Sequence, residues 1–164
     1  SCGLRSNQLD FVRNLLDSNK DAKGPKPTWV LDWSGFSLPV YPINVGTSIW
    51  FAGREGVLVK FDGWQVTEVN GLISSSRMYI DWEAPRMIFL QEKMIIEEAS
   101  CDSWSDYVDP SIGSVVYKQV CSNKKMGFRN LIEIDQVGNI VKLDFRFHEN
   151  YPNLTLRPRK NDLS

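Results

Sequence analysis

The feature that most constrains this 164-residue chain is the stretch Val57 to Asn70, VLVKFDGWQVTEVN. Val57, Val59 and Phe61 alternate with Leu58 and Lys60. After Asp62-Gly63, Trp64, Val66 and Glu68 alternate with Gln65, Thr67 and Val69. Asp-Gly between two runs of period two predicts a β-hairpin, because both central positions of the tight turn need positive φ. A chain organised around such a ribbon is expected to build an antiparallel sheet.

The remaining segments extend that expectation. Ser6 and Asn7 can cap a helix over residues 8–17, with Leu9, Val12, Leu15 and Leu16 on one face and Asp10 in the positive first turn. Lys20 to Pro27 reads as an irregular connection. Trp29, Leu31 and Trp33 begin the period-two region on one shared face, while Pro39 and Pro42 are expected to hold Leu38 to Ile43 at an edge or outside the sheet. Further strands are read over 49–52, 77–82, 86–90, 94–96 and 114–121, with Glu97-Glu98 a solvated exit and Ala99 to Gly113 irregular. A second hairpin joins residues 131–135 to 140–148 through Gln136 to Asn139. Its returning strand points Val141, Leu143, Phe145 and Phe147 one way and Lys142, Asp144, Arg146 and His148 the other. Tyr151 to Arg159 is a last extended segment. The count is eight to ten strands and one N-terminal helix. The predicted fold is mainly β, an antiparallel barrel-like or strongly curved sheet.

The totals narrow the function classes. Apolar residues make up 42% and charged residues 24%, with net charge −1, which suits one folded domain and offers no basic excess to draw nucleic acid. No apolar run approaches the roughly 20 residues of a membrane-spanning helix. His148 is the only histidine, and on the polar side of a strand it is expected to be exposed rather than catalytic. No metal set and no phosphate-cradling glycine motif is legible, and no cofactor is expected. Glu55, Asp62, Glu68, Asp81, Glu83 and Glu97 could each serve a carboxylate-pair glycosidase, a breadth that singles out none. The chain is therefore expected not to be an enzyme. Its six tryptophans suggest instead a sugar-stacking or partner-binding surface, with Trp104 the candidate exposed contact and most of the others core.

The three cysteines fit one address. A small residue before Cys2, with a polar segment behind it, is what a bacterial lipoprotein signal leaves at its cleavage site, so Cys2 is the candidate lipid attachment. Cys101 and Cys121 remain as a candidate disulfide across about 20 residues, in keeping with an oxidising compartment; two reduced, buried thiols are the alternative.

Ser1-Cys2 followed by QLDFVRNLL, the hairpin GREGVLVKFDGWQVTEVNGL, and the later hairpin NLIEIDQVGNIVKLDFRF with its Pro-containing tail resemble the YjbF/YmcC/GfcB-like outer-membrane lipoproteins of group 4 capsule and exopolysaccharide secretion. The resemblance implies a lipidated tether over 1–6 and a single β-rich periplasmic domain over 7–164, anchored at the periplasmic face of the bacterial outer membrane. It implies a non-catalytic binding or scaffolding accessory in polysaccharide export, with polysaccharide or export proteins as partners. The alternatives are an envelope glycan-acting enzyme using paired carboxylates, and a lipid-carrying β-barrel.

Overall fold

The computed structural model describes residues 28–160 apart from residue 75. The tether, Cys2, the helix expected over 8–17 and the connection that follows it lie outside the described residues.

Thirteen strands follow one another with short turns between them: β1 (Trp29–Trp33), β2 (Phe36–Val45), β3 (Ser48–Ala52), β4 (Leu58–Phe61), β5 (Val66–Asn70), β6 (Arg77–Glu83), β7 (Arg86–Gln91), β8 (Met94–Cys101), β9 (Ser105–Asp109), β10 (Ser114–Ser122), β11 (Gly127–Ile134), β12 (Ile140–Phe145) and β13 (Leu154–Pro158). Each neighbour pair is antiparallel, and the order runs from β11 through β12, β13 and β1 up to β8 and then β10, which pairs back onto β11. Twelve strands thus close into a ring, with β9 as an extension of β8 along the same edge of β10. Closure removes the unpaired edges that an open sheet would present to other chains.

The expected antiparallel barrel is present, and period two explains its interior. Leu31, Val59, Phe61, Val69, Phe89, Leu143 and Phe145 all turn inward and are buried. Phe61 meets Phe145 edge-on across the interior at 5.9 Å between ring centroids. These buried side chains belong to one continuous apolar cluster that occupies the barrel interior.

Several expectations are corrected. The strand number exceeds the eight to ten expected, because segments read as exits or loops pair fully. Pro39 and Pro42 lie inside the ring on β2, opposite Val30 and Phe51. In an antiparallel ladder each N–H serves only one neighbour, so a proline removes a single bond and leaves the strand otherwise paired. Glu97 and Glu98 are not an exit; β8 carries through both to Cys101. The segment after it contains β9. The last long strand stops at Phe145, and Arg146 and His148, expected on a wet face, are buried beyond it.

The ring is thinnest between β8 and β10, which pair only at Cys101–Cys121 and Ser100–Ser122. There the two cysteines are directly opposed, with Cα atoms 3.9 Å apart and sulfurs bonded at 2.01 Å. Beyond the pairing, the gap is filled by side chains. Glu97 points inward from β8 to meet Arg146, whose Nη2 lies 3.2 Å from Glu97 Oε1. Asn123 Nδ2 donates to the same carboxylate, and the guanidinium stacks 4.7 Å over the Phe128 ring.

Candidate functional site

The central hairpin is wider than Asp-Gly alone predicts, and the site follows from that. Asp62 Oδ1 accepts the backbone N–H groups of Trp64 at 2.8 Å and Gln65 at 2.7 Å. The Asp62 N–H donates to the Gln65 carbonyl at 2.9 Å, closing a four-residue loop from 62 to 65. An aspartate that caps its own downstream amides competes with a two-residue turn. Gly63 takes φ of 111°, a conformation a side chain would oppose. Trp64, read from sequence as a strand residue, therefore stands in the loop and is 51% exposed.

Two other elements bring indoles to the same end of the barrel. Trp82 lies at the end of β6, and Trp104 in the break between β8 and β9. The Trp64 and Trp104 rings are 5.7 Å apart, Tyr117 of β10 meets Trp64 edge-on at 5.4 Å, and Phe145 backs Trp104 at 6.1 Å. Asp62, Trp64, Gln65, Trp82 and Trp104 enclose an open hollow of about 480 Å³. The structure places Trp104, the candidate contact, at this cleft but half-buried against the core. Trp64 presents the freer face.

The floor is polar. Gln65 is buried, and its Nε2 donates to Gln119 Oε1 at 3.4 Å, which also accepts from Asn130 Nδ2 at 3.1 Å. Asn130 Oδ1 in turn accepts the Arg146 backbone N–H at 3.1 Å, linking the floor to the ion pair at the seam. Gln65 Oε1 is buried without a partner. Gln119 Nε2 is likewise buried without a partner, so this chain of amides leaves one acceptor and one donor shut away from water. Aromatic faces with one carboxylate, one amide and no cation among the lining residues suit a neutral, hydroxyl-rich ligand.

The candidate acids do not gather here. Asp62 is the one carboxylate of the lining, and its Oδ1 is engaged by the turn. Glu68 pairs with Lys60 at 3.0 Å, and Glu55 lines a second hollow of about 420 Å³ at the opposite end, between β1–β2 and the turn Arg54–Gly56. Burial pushes the Glu97 carboxyl up from its ordinary value, against the pull of Arg146. His148, expected exposed, is buried, because the chain turns back at this point to plug that opposite end. Its ring lies 4.8 Å from Tyr151, its Nδ1 accepts the Asn150 N–H at 3.1 Å, and burial pushes its pKa down. Among the described residues no group of three His, Cys, Asp or Glu side chains is arranged to hold a metal, and no helix is long and apolar enough to cross a membrane.

Sequence reading missed Trp64 and the Gln65–Gln119–Asn130 chain. A tryptophan two residues after an aspartate that can cap its own turn was the available signal for the first; nothing local announces the second.

No protein-family model matches the chain, and no curated protein matches it. Among solved structures its barrel is similar to that of a bacterial lipoprotein. That structure is the hypothetical lipoprotein YmcC from Escherichia coli (K12), with a TM-score of 0.59 and 8% sequence identity, covering 98% of each chain. At that identity the likeness shows a shared fold.

Proposed function

We propose that this protein is an envelope lipoprotein, held by a lipid on Cys2 at the periplasmic face of the outer membrane. Its barrel would serve as a non-catalytic binding accessory in capsule or exopolysaccharide export. The observation that carries the binding role is the cleft lined by Trp64, Trp82 and Trp104 with Asp62 beside them. Indole faces cover the apolar side of a pyranose, and the exposed Asp62 carboxylate beside them is the acceptor for its hydroxyls. The anchor is supported by Ser1-Cys2 and by the description of the similarly folded YmcC as a lipoprotein. Asp62 is the one carboxylate among the residues lining the cleft and its Oδ1 is held by the turn, which supports binding over carboxylate-pair hydrolysis.

Titration of tryptophan fluorescence with the purified, uncharged surface polysaccharide of the source cell tests the binding role. Saturable quenching is expected, weakened about tenfold by Trp64→Ala, equivalent to about 1.4 kcal/mol. Absence of quenching, or equal affinity in Trp64→Ala, would refute it.

A further inference from the structure

We propose that the tryptophan cleft selects a sugar carrying a protonated amino group, an unacetylated hexosamine. The inference rests on the binding role proposed above and narrows its ligand. A neutral sugar fits the lining, and a negative one would meet Asp62 with no cation among the lining residues to receive it. A positive one gains two attractions that a hydroxyl does not.

The first comes from the rings. The face of an aromatic ring carries the negative part of its quadrupole, and among aromatic side chains tryptophan attracts a cation most strongly. Three indoles line this one hollow of about 480 Å³. Trp64 and Trp104 lie 5.7 Å apart with their planes inclined at 48°, so neither ring lies flat on the other. Tyr117 stands nearly perpendicular to Trp64, at 86°, and braces it from one side.

The second comes from the carboxylate. The loop amides of Trp64 and Gln65 hold Asp62 Oδ1, which orients the group beside the indoles while the residue stays exposed. A sugar hydroxyl can donate to it; an ammonium donates and brings a full opposite charge as well.

The charge around the cleft has the same sign. Each indole stands in an acidic stretch: residues 62–65 contain Asp62, residues 81–85 contain Asp81 and Glu83, and residues 102–106 contain Asp102 and Asp106. All five acids are exposed, and none of the three stretches contains Lys or Arg. Lys60 and Arg86, basic residues close to two of them in sequence, are engaged by Glu68 and Glu98. Such a rim concentrates cations at the mouth of a cleft. Each attraction is modest at an exposed site, and together they are expected to give about a tenfold preference.

The test titrates the full chain at about pH 6 with glucosamine and with N-acetylglucosamine, which share a ring and differ in whether the nitrogen is charged, and reads tryptophan fluorescence. Glucosamine is expected to bind about tenfold more tightly. Asp62→Asn keeps an oxygen for the two loop amides and removes the charge, so it is expected to bring the two sugars within about threefold of each other. Without any substitution, the preference is also expected to vanish above about pH 9, where an amine of this kind has lost its proton. This second arm needs no variant to fold. Equal affinities at pH 6 overturn the proposal, as does a preference that survives either Asp62→Asn or the higher pH. Saturable quenching by the uncharged polysaccharide with equal affinity for the two monosaccharides would remove the amino group and leave the binding role standing. Quenching by none of the three would remove both.

Discussion

At the scale of single residues, Arg146 and His148 carry most of what the interior adds to a hydrophobic barrel. Arg146 meets Glu97, covers Phe128 and donates to the Glu149 carbonyl at 2.8 Å. Removing it strands a buried carboxylate, so Arg146→Met is expected to lower stability by about 3–5 kcal/mol in urea unfolding, and Arg146→Met with Glu97→Leu to recover more than half of that loss. A double variant no better than the single would show that the two charges are not coupled. Burial holds the His148 imidazole below its ordinary pKa, so as pH falls the unfolded chain takes up a proton before the folded one does. The stabilisation is thus complete above about pH 6.5 and is lost as pH falls from there toward the lower folded-state value. The unfolding temperature is expected to drop between pH 7.5 and 5.5, and to drop less in His148→Gln. Neither residue's environment was legible in sequence. The alternation of Val141, Leu143, Phe145 and Phe147 with polar neighbours continues past Phe145, where the strand has ended and the polar residues have turned inward.

At the scale of elements, local signals predicted what is local. Both hairpins, the inward face of Trp29, Leu31 and Trp33, and the turn at Gly71 follow from period two and turn chemistry. Gly71 takes φ of 80°, and a Cβ there would lie 2.8 Å from the Gly56 carbonyl oxygen, so Gly71→Ala is expected to destabilise by more than 1 kcal/mol in the same assay. What sequence did not reveal is set by long-range pairing: that β8 and β9 share one edge of β10, and that Trp64, Trp82 and Trp104 converge from three separate connections. Asp62 is the element-scale determinant of the cleft, because its carboxylate fixes the loop that displays Trp64. Asp62→Ala is expected to cost about 1 kcal/mol and to weaken glycan quenching of the Trp64 fluorescence while leaving the barrel's circular dichroism intact. The seam behaves differently. Two residue pairs and one disulfide close β8 onto β10, so Cys101→Ser with Cys121→Ser is expected to lose about 3 kcal/mol and to speed amide exchange first along β8 and β10. Uniform acceleration around the ring would contradict a local seam.

At the scale of the whole molecule, a closed twelve-strand ring buries its backbone edges and leaves two ends and an outer wall for function. One end is plugged by Trp33, Phe147, His148 and Tyr151, and the other opens as the tryptophan cleft. Under the proposed function, a lipid on Cys2 would join the oxidised pair at the seam and the aromatic cleft at the end away from the plug in one anchored binding accessory. The intact mass of the mature protein, taken from the envelope fraction under non-reducing conditions, tests that description most directly. The account predicts an acyl increment on Cys2 and a mass two protons lower for the bond between Cys101 and Cys121. An unmodified N-terminus with three free thiols would contradict both the anchor and the oxidising compartment.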